Sequence, residues 1–133
     1  MKQIIARLGP EGQLQIAVAD WLQLIAPWGE ARAEFVWFHL ANEGKRSRVA
    51  GEVLKRMGMR PGAPDLVFVK GWHVAFVELK AGRNRQTATQ KQFQSDCERL
   101  DVPYRVCRSL GEVAAALVEW DFLTEKETPD ENA

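Results

Sequence analysis

Residues 58–80, GMRPGAPDLVFVKGWHVAFVELK, decide the fold. Two runs rich in β-branched and aromatic residues, Asp65–Lys70 (DLVFVK) and His73–Lys80 (HVAFVELK), are separated by Gly71 and Trp72 alone. That spacing predicts an antiparallel hairpin closed by a two-residue turn. The preceding Pro61–Gly62–Ala63–Pro64 segment reads as a loop that fixes the approach of Asp65. Side chains alternate faces along a strand, so Glu78 and Lys80 share one face while Val77 and Leu79 share the other. With the turn at Gly71–Trp72, Asp65 at the open end comes level with Glu78.

Working outward toward the amino terminus, residues 11–26 place Leu14, Val18, Trp21, Leu22 and Ile25 at helical spacing, ending near Pro27 and Gly29. Glu34–Leu40 (EFVWFHL) reads as a strand and Asn42–Lys45 as a turn. A short helix follows from Arg46 or Ser47 through Met57, stopped by Gly58. Toward the carboxy terminus, a helix from about Thr87 to Leu100 turns Phe93, Cys97 and Leu100 inward. Pro103–Arg108 is a strand. A last helix opens after Ser109 with Glu112 as its capping-box partner, and Val113, Ala116, Leu117 and Trp120 face inward. The order is α-β-α-β-β-α-β-α. The strand–helix–strand pass after Lys80 implies a right-handed crossover, hence a mixed sheet and an α/β class.

A chain of 133 residues with 46% apolar residues and five Trp makes one domain with a packed core and no need of disulfides. Cys97 and Cys107 are too isolated for a zinc knuckle or redox pair and read as buried small hydrophobes in a reduced, cytoplasmic setting. No apolar run approaches the roughly 20 residues of a membrane span, and the amino terminus lacks signal-peptide features, so no membrane partner is expected. The net charge of zero conceals an uneven distribution. Residues 43–60 carry six basic against two acidic side chains, and residues 80–108 carry seven against three. From Glu119 onward there are six acids and one base. Two basic segments on one face suit a phosphate-rich partner. The domain is expected to span 1–123, with 124–133 a disordered acidic tail.

The hairpin carries the chemistry. Two carboxylates and an ammonium without histidines or thiolates suit a hard cation such as Mg²⁺ or Mn²⁺, which keeps waters and bridges to phosphates. A lysine beside them orients or deprotonates water, or neutralises developing charge. The pattern therefore points to metal-dependent phosphodiester hydrolysis. The apolar neighbours Phe76, Val77 and Leu79 make the strand central, where an unpaired charge is costly.

Taken together, GMRPGAPDLVFV, AFVELKAG, Gln90 on a following helix and VPYRVCRSLGEV resemble the virus-type replication-repair nuclease (VRR-NUC) family, a branch of the PD-(D/E)xK nucleases. His39, Asn42, Gly44 and Arg46 are similar to a further segment of that family. The resemblance runs from the first helix to Trp120 and implies a restriction-endonuclease-like fold. It implies Asp65, Glu78 and the Leu79 carbonyl as metal ligands, Lys80 as catalytic lysine, and Gln90 as a contact to the site or phosphate. It also places an acid or amide on the first helix beside the metal, here Gln15 or Glu11. His39, Asn42, Arg46, Arg48, Arg83, Arg85 and Lys91 are candidates for DNA contacts, and Trp72 for a DNA wedge or partner interface. The implied function is a structure-specific DNA endonuclease in a bacterial or phage-infected cell, cutting branched DNA such as a Holliday junction. One site per chain means that symmetric cleavage needs a homodimer. A flap or single-strand-directed nuclease, or an inactive nucleic-acid-binding or assembly protein, are the alternatives.

Overall fold

The computed structural model describes residues 1–41 and 47–129. Helices α1 (Lys2–Ala6) and α2 (Pro10–Ile25) lead into strand β1 (Val36–His39) and helix α3 (Arg48–Arg56). Strands β2 (Leu66–Lys70) and β3 (His73–Leu79) follow, then α4 (Ala88–Arg99), β4 (Tyr104–Cys107) and α5 (Leu110–Glu119). The four strands lie in chain order in one sheet, with β1–β2 and β2–β3 antiparallel and β3–β4 parallel across the α4 crossover. The chain is α/β with a mixed sheet, as the pattern predicts. No helix among the described residues is long and apolar enough to cross a membrane.

The hairpin register pairs Leu66 with Val77 and Lys70 with His73, which brings Asp65 opposite Glu78. Gly71 takes φ +59, a backbone conformation that a side chain makes costly, and so opens the turn. Leu66, Phe68, Ala75, Val77 and Leu79 are buried on the face that packs against Val18 and Leu22 of α2 and Val113, Ala116 and Leu117 of α5. On the opposite face Phe76 meets Phe93 of α4 edge-on at 5.4 Å, and Phe93 in turn meets Tyr104 at 6.1 Å. Glu78, two residues from Phe76, shares that α4-facing side. Trp37, buried in β1, donates through Nε1 to the Ala26 carbonyl at 2.9 Å and so ties the end of α2 to the sheet.

Several expectations change in detail. α1 adds a helix ahead of the expected order. It spans barely more than one turn and buries nothing, so it offers no apolar period to read. The first strand keeps only Val36–His39 of the expected Glu34–Leu40. Leu100 is 63% exposed instead of inward, because it caps α4 beyond the last full turn. Within the expected tail, Glu125–Glu127 form one 3-10 turn, where Thr124 N and Oγ1 donate to Glu127 Oε1. Cys97 and Cys107 are buried and unbridged.

Candidate active site

Asp65 enters the site from a constrained backbone. Pro64 before it is fully buried, and the Asp65 carbonyl accepts from Leu40 N at 2.8 Å and from His39 Nδ1 at 2.7 Å. A carbonyl can only accept, so Nδ1 of His39 carries the ring proton. The Asp65 side chain crosses to the neighbouring strand, where Oδ2 accepts from Leu79 N at 2.6 Å. Aspartate at the mouth of β2 is thus tied by main chain to β1 and by carboxylate to β3.

Glu78 is 3% exposed. Its Oε1 accepts from Gln90 Nε2 at 2.9 Å, while Oε2 is buried with no hydrogen-bond partner. Burial above all pushes its carboxyl from the usual 4.5 up to about 8. The neighbouring Asp65 carboxylate adds to the rise, Lys80 opposes it, and Glu11 adds a smaller push. Lys80 is itself 7% exposed, and its backbone N–H donates to Cys107 O at 3.0 Å, extending the β3–β4 alignment past the end of β3. The helix α4 supplies Gln90 through its cap. Thr87 Oγ1 accepts from Gln90 N and Gln90 Oε1 accepts from Thr87 N, so the amide NH₂ is left for Glu78.

From the other side, α2 closes a cavity of about 210 Å³ lined by Leu8, Glu11, Gly12, Gln15, Ile16, Asp65 and Leu79. Both first-helix candidates reach it. Glu11 Oε1 accepts from Asn84 Nδ2 at 3.0 Å and, longer, from Ala81 N at 3.5 Å, which ties it to the loop after β3. Gln15 Nε2 is buried without a partner.

A divalent cation fits these residues. An ionised Glu78 holds a buried oxygen that no donor satisfies, beside a second carboxylate, and hard cations take such oxygens. No group of three His, Cys, Asp or Glu stands at ligand spacing among the described residues. Asp65 and Glu78 would therefore hold the ion together with neutral donors, the Leu79 carbonyl, an amide or water.

No family model and no curated protein matches the chain. A solved structure described as a VRR_NUC domain protein aligns with 86% of this chain and 89% of its own length, at a TM-score of 0.58 and 19% identity. The chain has the fold of that VRR_NUC domain protein.

Within this VRR_NUC-like fold, the structure brings together Asp65, Glu78, Lys80 and Gln90 at the open end of the hairpin, with Glu11 and Gln15 across the cavity. Asn42 and Arg46 lie outside the described residues. Arg48, Arg83, Arg85 and Lys91 are exposed and form no ion pair among the described residues. Other members of the basic segments are already engaged: Lys55 with Glu52, Arg60 and Arg99 with Asp96, and Arg105 with Glu119. Glu52 and Asp96 are already among the acids of those segments, so only the Arg105–Glu119 pair lowers their net positive charge below the sequence count. Trp72, fully exposed at the hairpin tip, stands at the opposite end of the ladder from Glu78. Sequence reasoning missed Asn84, which anchors Glu11, and Thr87, which orients Gln90. Thr87 was legible, since Thr-x-x-Gln before a helix is a capping-box signal.

Proposed function

We propose that this chain is a Mg²⁺- or Mn²⁺-dependent endodeoxyribonuclease that hydrolyses phosphodiester bonds in branched DNA. The observation that carries the reading is the buried Glu78 carboxylate, with one oxygen unsatisfied, facing Asp65 across the hairpin beside buried Lys80. Such a cluster is a poor structural choice and a good cation site.

Asp65, Glu78 and the Leu79 carbonyl would hold the cation, with Gln15 or Glu11 nearest from α2. When bound, a divalent ion supplies a water of lowered pKa and neutralises charge on the phosphate. Asp65 is aimed by Leu79 N, and Glu78 by Gln90, so neither carboxylate needs to reorganise. Lys80 holds a positive charge where the phosphate becomes more negative. His39, with Nδ1 spent on the Asp65 carbonyl, leaves the Nε2 lone pair to accept from a water. Exposed Arg48, Arg83, Arg85 and Lys91 would contact the DNA backbone. One site per chain fits a homodimer on a four-way junction, where two strands are cut symmetrically.

Incubating the purified protein with flaps, splayed arms and four-way junctions, in Mg²⁺, Mn²⁺ or EDTA, tests the proposal. Cation-dependent cutting that favours four-way junctions is expected. Cutting in EDTA would overturn the mechanism, and a preference for flaps would overturn the substrate.

A further inference from the structure

The loop that delivers Asp65 and the helix that delivers Gln90 meet at Gly62. This residue sits at φ +80, and a Cβ built on it would lie 2.4 Å from both the carbonyl carbon and the oxygen of Thr89 and 2.6 Å from Gln90 N. The obstacles are backbone atoms, which cannot rotate aside as a flexible side chain would. They belong to the first turn of α4, whose reciprocal Thr87–Gln90 cap fixes the amide that holds Glu78. Any displacement of this turn carries the Gln90 side chain with it.

We infer that Gly62 is a positioning residue of the site, because its close backbone contact with the Thr89–Gln90 peptide keeps Gln90 in register with Glu78. Only the consequence for cation binding rests on the function proposed above. The contact itself follows from the packing. Gly62 lies three residues before Asp65, so this one contact relates the loop carrying the first carboxylate to the helix turn that orients the second.

Gly58 supplies the control. It too has positive φ, +102, yet a Cβ there meets nothing within 4 Å. Gly58→Ala strains the backbone and goes no further, whereas Gly62→Ala must also push α4 away.

The experiment is ¹⁵N NMR of the Gln90 side-chain NH₂, with calorimetric Mn²⁺ titration, on wild type, Gly58→Ala, Gly62→Ala, Gln90→Ala and the Gly62→Ala/Gln90→Ala double variant. In Gly62→Ala the Gln90 resonances should move to those of a free glutamine, and Mn²⁺ affinity should fall about tenfold, the scale for losing a group that orients a ligand. Gln90→Ala should match that loss, and the double variant should be no weaker than either single one. Gly58→Ala should leave both readouts at the wild-type position. Unmoved Gln90 resonances in Gly62→Ala, an equal effect from Gly58→Ala, or multiplied losses in the double variant would each overturn the inference. If Gly62→Ala does not fold, Gln90→Ala decides: its amide shift changes should reach Gly62 and pass over Gly58, and silence at Gly62 overturns the inference. If the Gln90 resonances move as expected while even wild type binds no Mn²⁺, the positioning role stands and the cation-dependent reading falls.

Discussion

The β2–β3 hairpin buries its charges at one end and exposes its largest apolar side chain at the other. At the open end Glu78 and Lys80 are almost inaccessible, while at the tip Trp72 stands wholly in solvent. Ordinary partition between water and core would arrange the two ends the other way. Both ends belong to the same antiparallel ladder, so the backbone does not make the difference. The surroundings do. Leu79 N, Gln90, His39 and Leu40 hold the acid end from β3 itself, from α4, and from β1 with the residue after it. An exposed tryptophan in a turn costs the fold little and says little by itself. A buried, half-satisfied carboxylate is expensive, and it persists only where the structure around it leaves no alternative.

The largest expected effect tests whether the buried ammonium belongs to the chemistry. Lys80→Ala should slow single-turnover DNA cleavage at least 100-fold, while DNA affinity measured in EDTA changes less than threefold. Cleavage at the wild-type rate would leave Lys80 a structural cation only.

The next effect is on stability and pH. Without a cation, folded Glu78 keeps its proton to about pH 8, whereas the unfolded side chain releases it near 4.5. Between those values the folded chain binds more protons than the unfolded one, so stability falls as pH rises and levels off above about 8. Glu78→Gln removes that slope. Denaturant melts should show the cation-free variant more stable than wild type by roughly 2–5 kcal/mol at pH 8, with the gap closing toward pH 5. Parallel curves would mean that burial of Glu78 carries no such penalty.

A smaller effect concerns the exposed arginines after β3. Replacing Arg83 and Arg85 together with Ala should flatten the salt dependence of junction binding by about one to two units, at about 0.9 per phosphate contact, without changing which structure is cut. An unchanged slope would make them plain surface. The smallest effect lies at the tip, where Trp72→Ser should alter stability by less than about 0.5 kcal/mol and leave cleavage intact. A loss of junction cutting there would end the contrast between the two ends, because the tip would then share the work.

Much of this was legible in the chain, and the reasons differ by element. The hairpin register was readable because only two residues separate the strands, which leaves little freedom for Asp65 to miss Glu78. The helix α4 was bounded by its Thr87 cap, and α5 by Ser109, whose Oγ accepts from Glu112 N. Short elements were legible only in part: α1 has too few residues for a period, while β1 and β4 stand where expected but are shorter, β1 losing three residues to the loops around it. Within the site, local spacing gave Glu78 and Lys80. The links that reach far along the chain, Asn84 to Glu11 and Gly62 to Thr89, have no sequence signal because they depend on how elements pack. The charge count was too high by one, since Arg105 pairs with Glu119 from outside the basic segments.

The claim beneath all of this is that the Asp65–Glu78 pair is built for a cation. Thermal melting at pH 8 with and without Mg²⁺, on wild type and Glu78→Gln, tests it most directly. Wild type should melt higher in Mg²⁺, because the ion binds the folded pair and not the unfolded chain. Glu78→Gln should start higher without the ion and gain little from it. Equal gains in both proteins, or no gain in wild type, would contradict the claim.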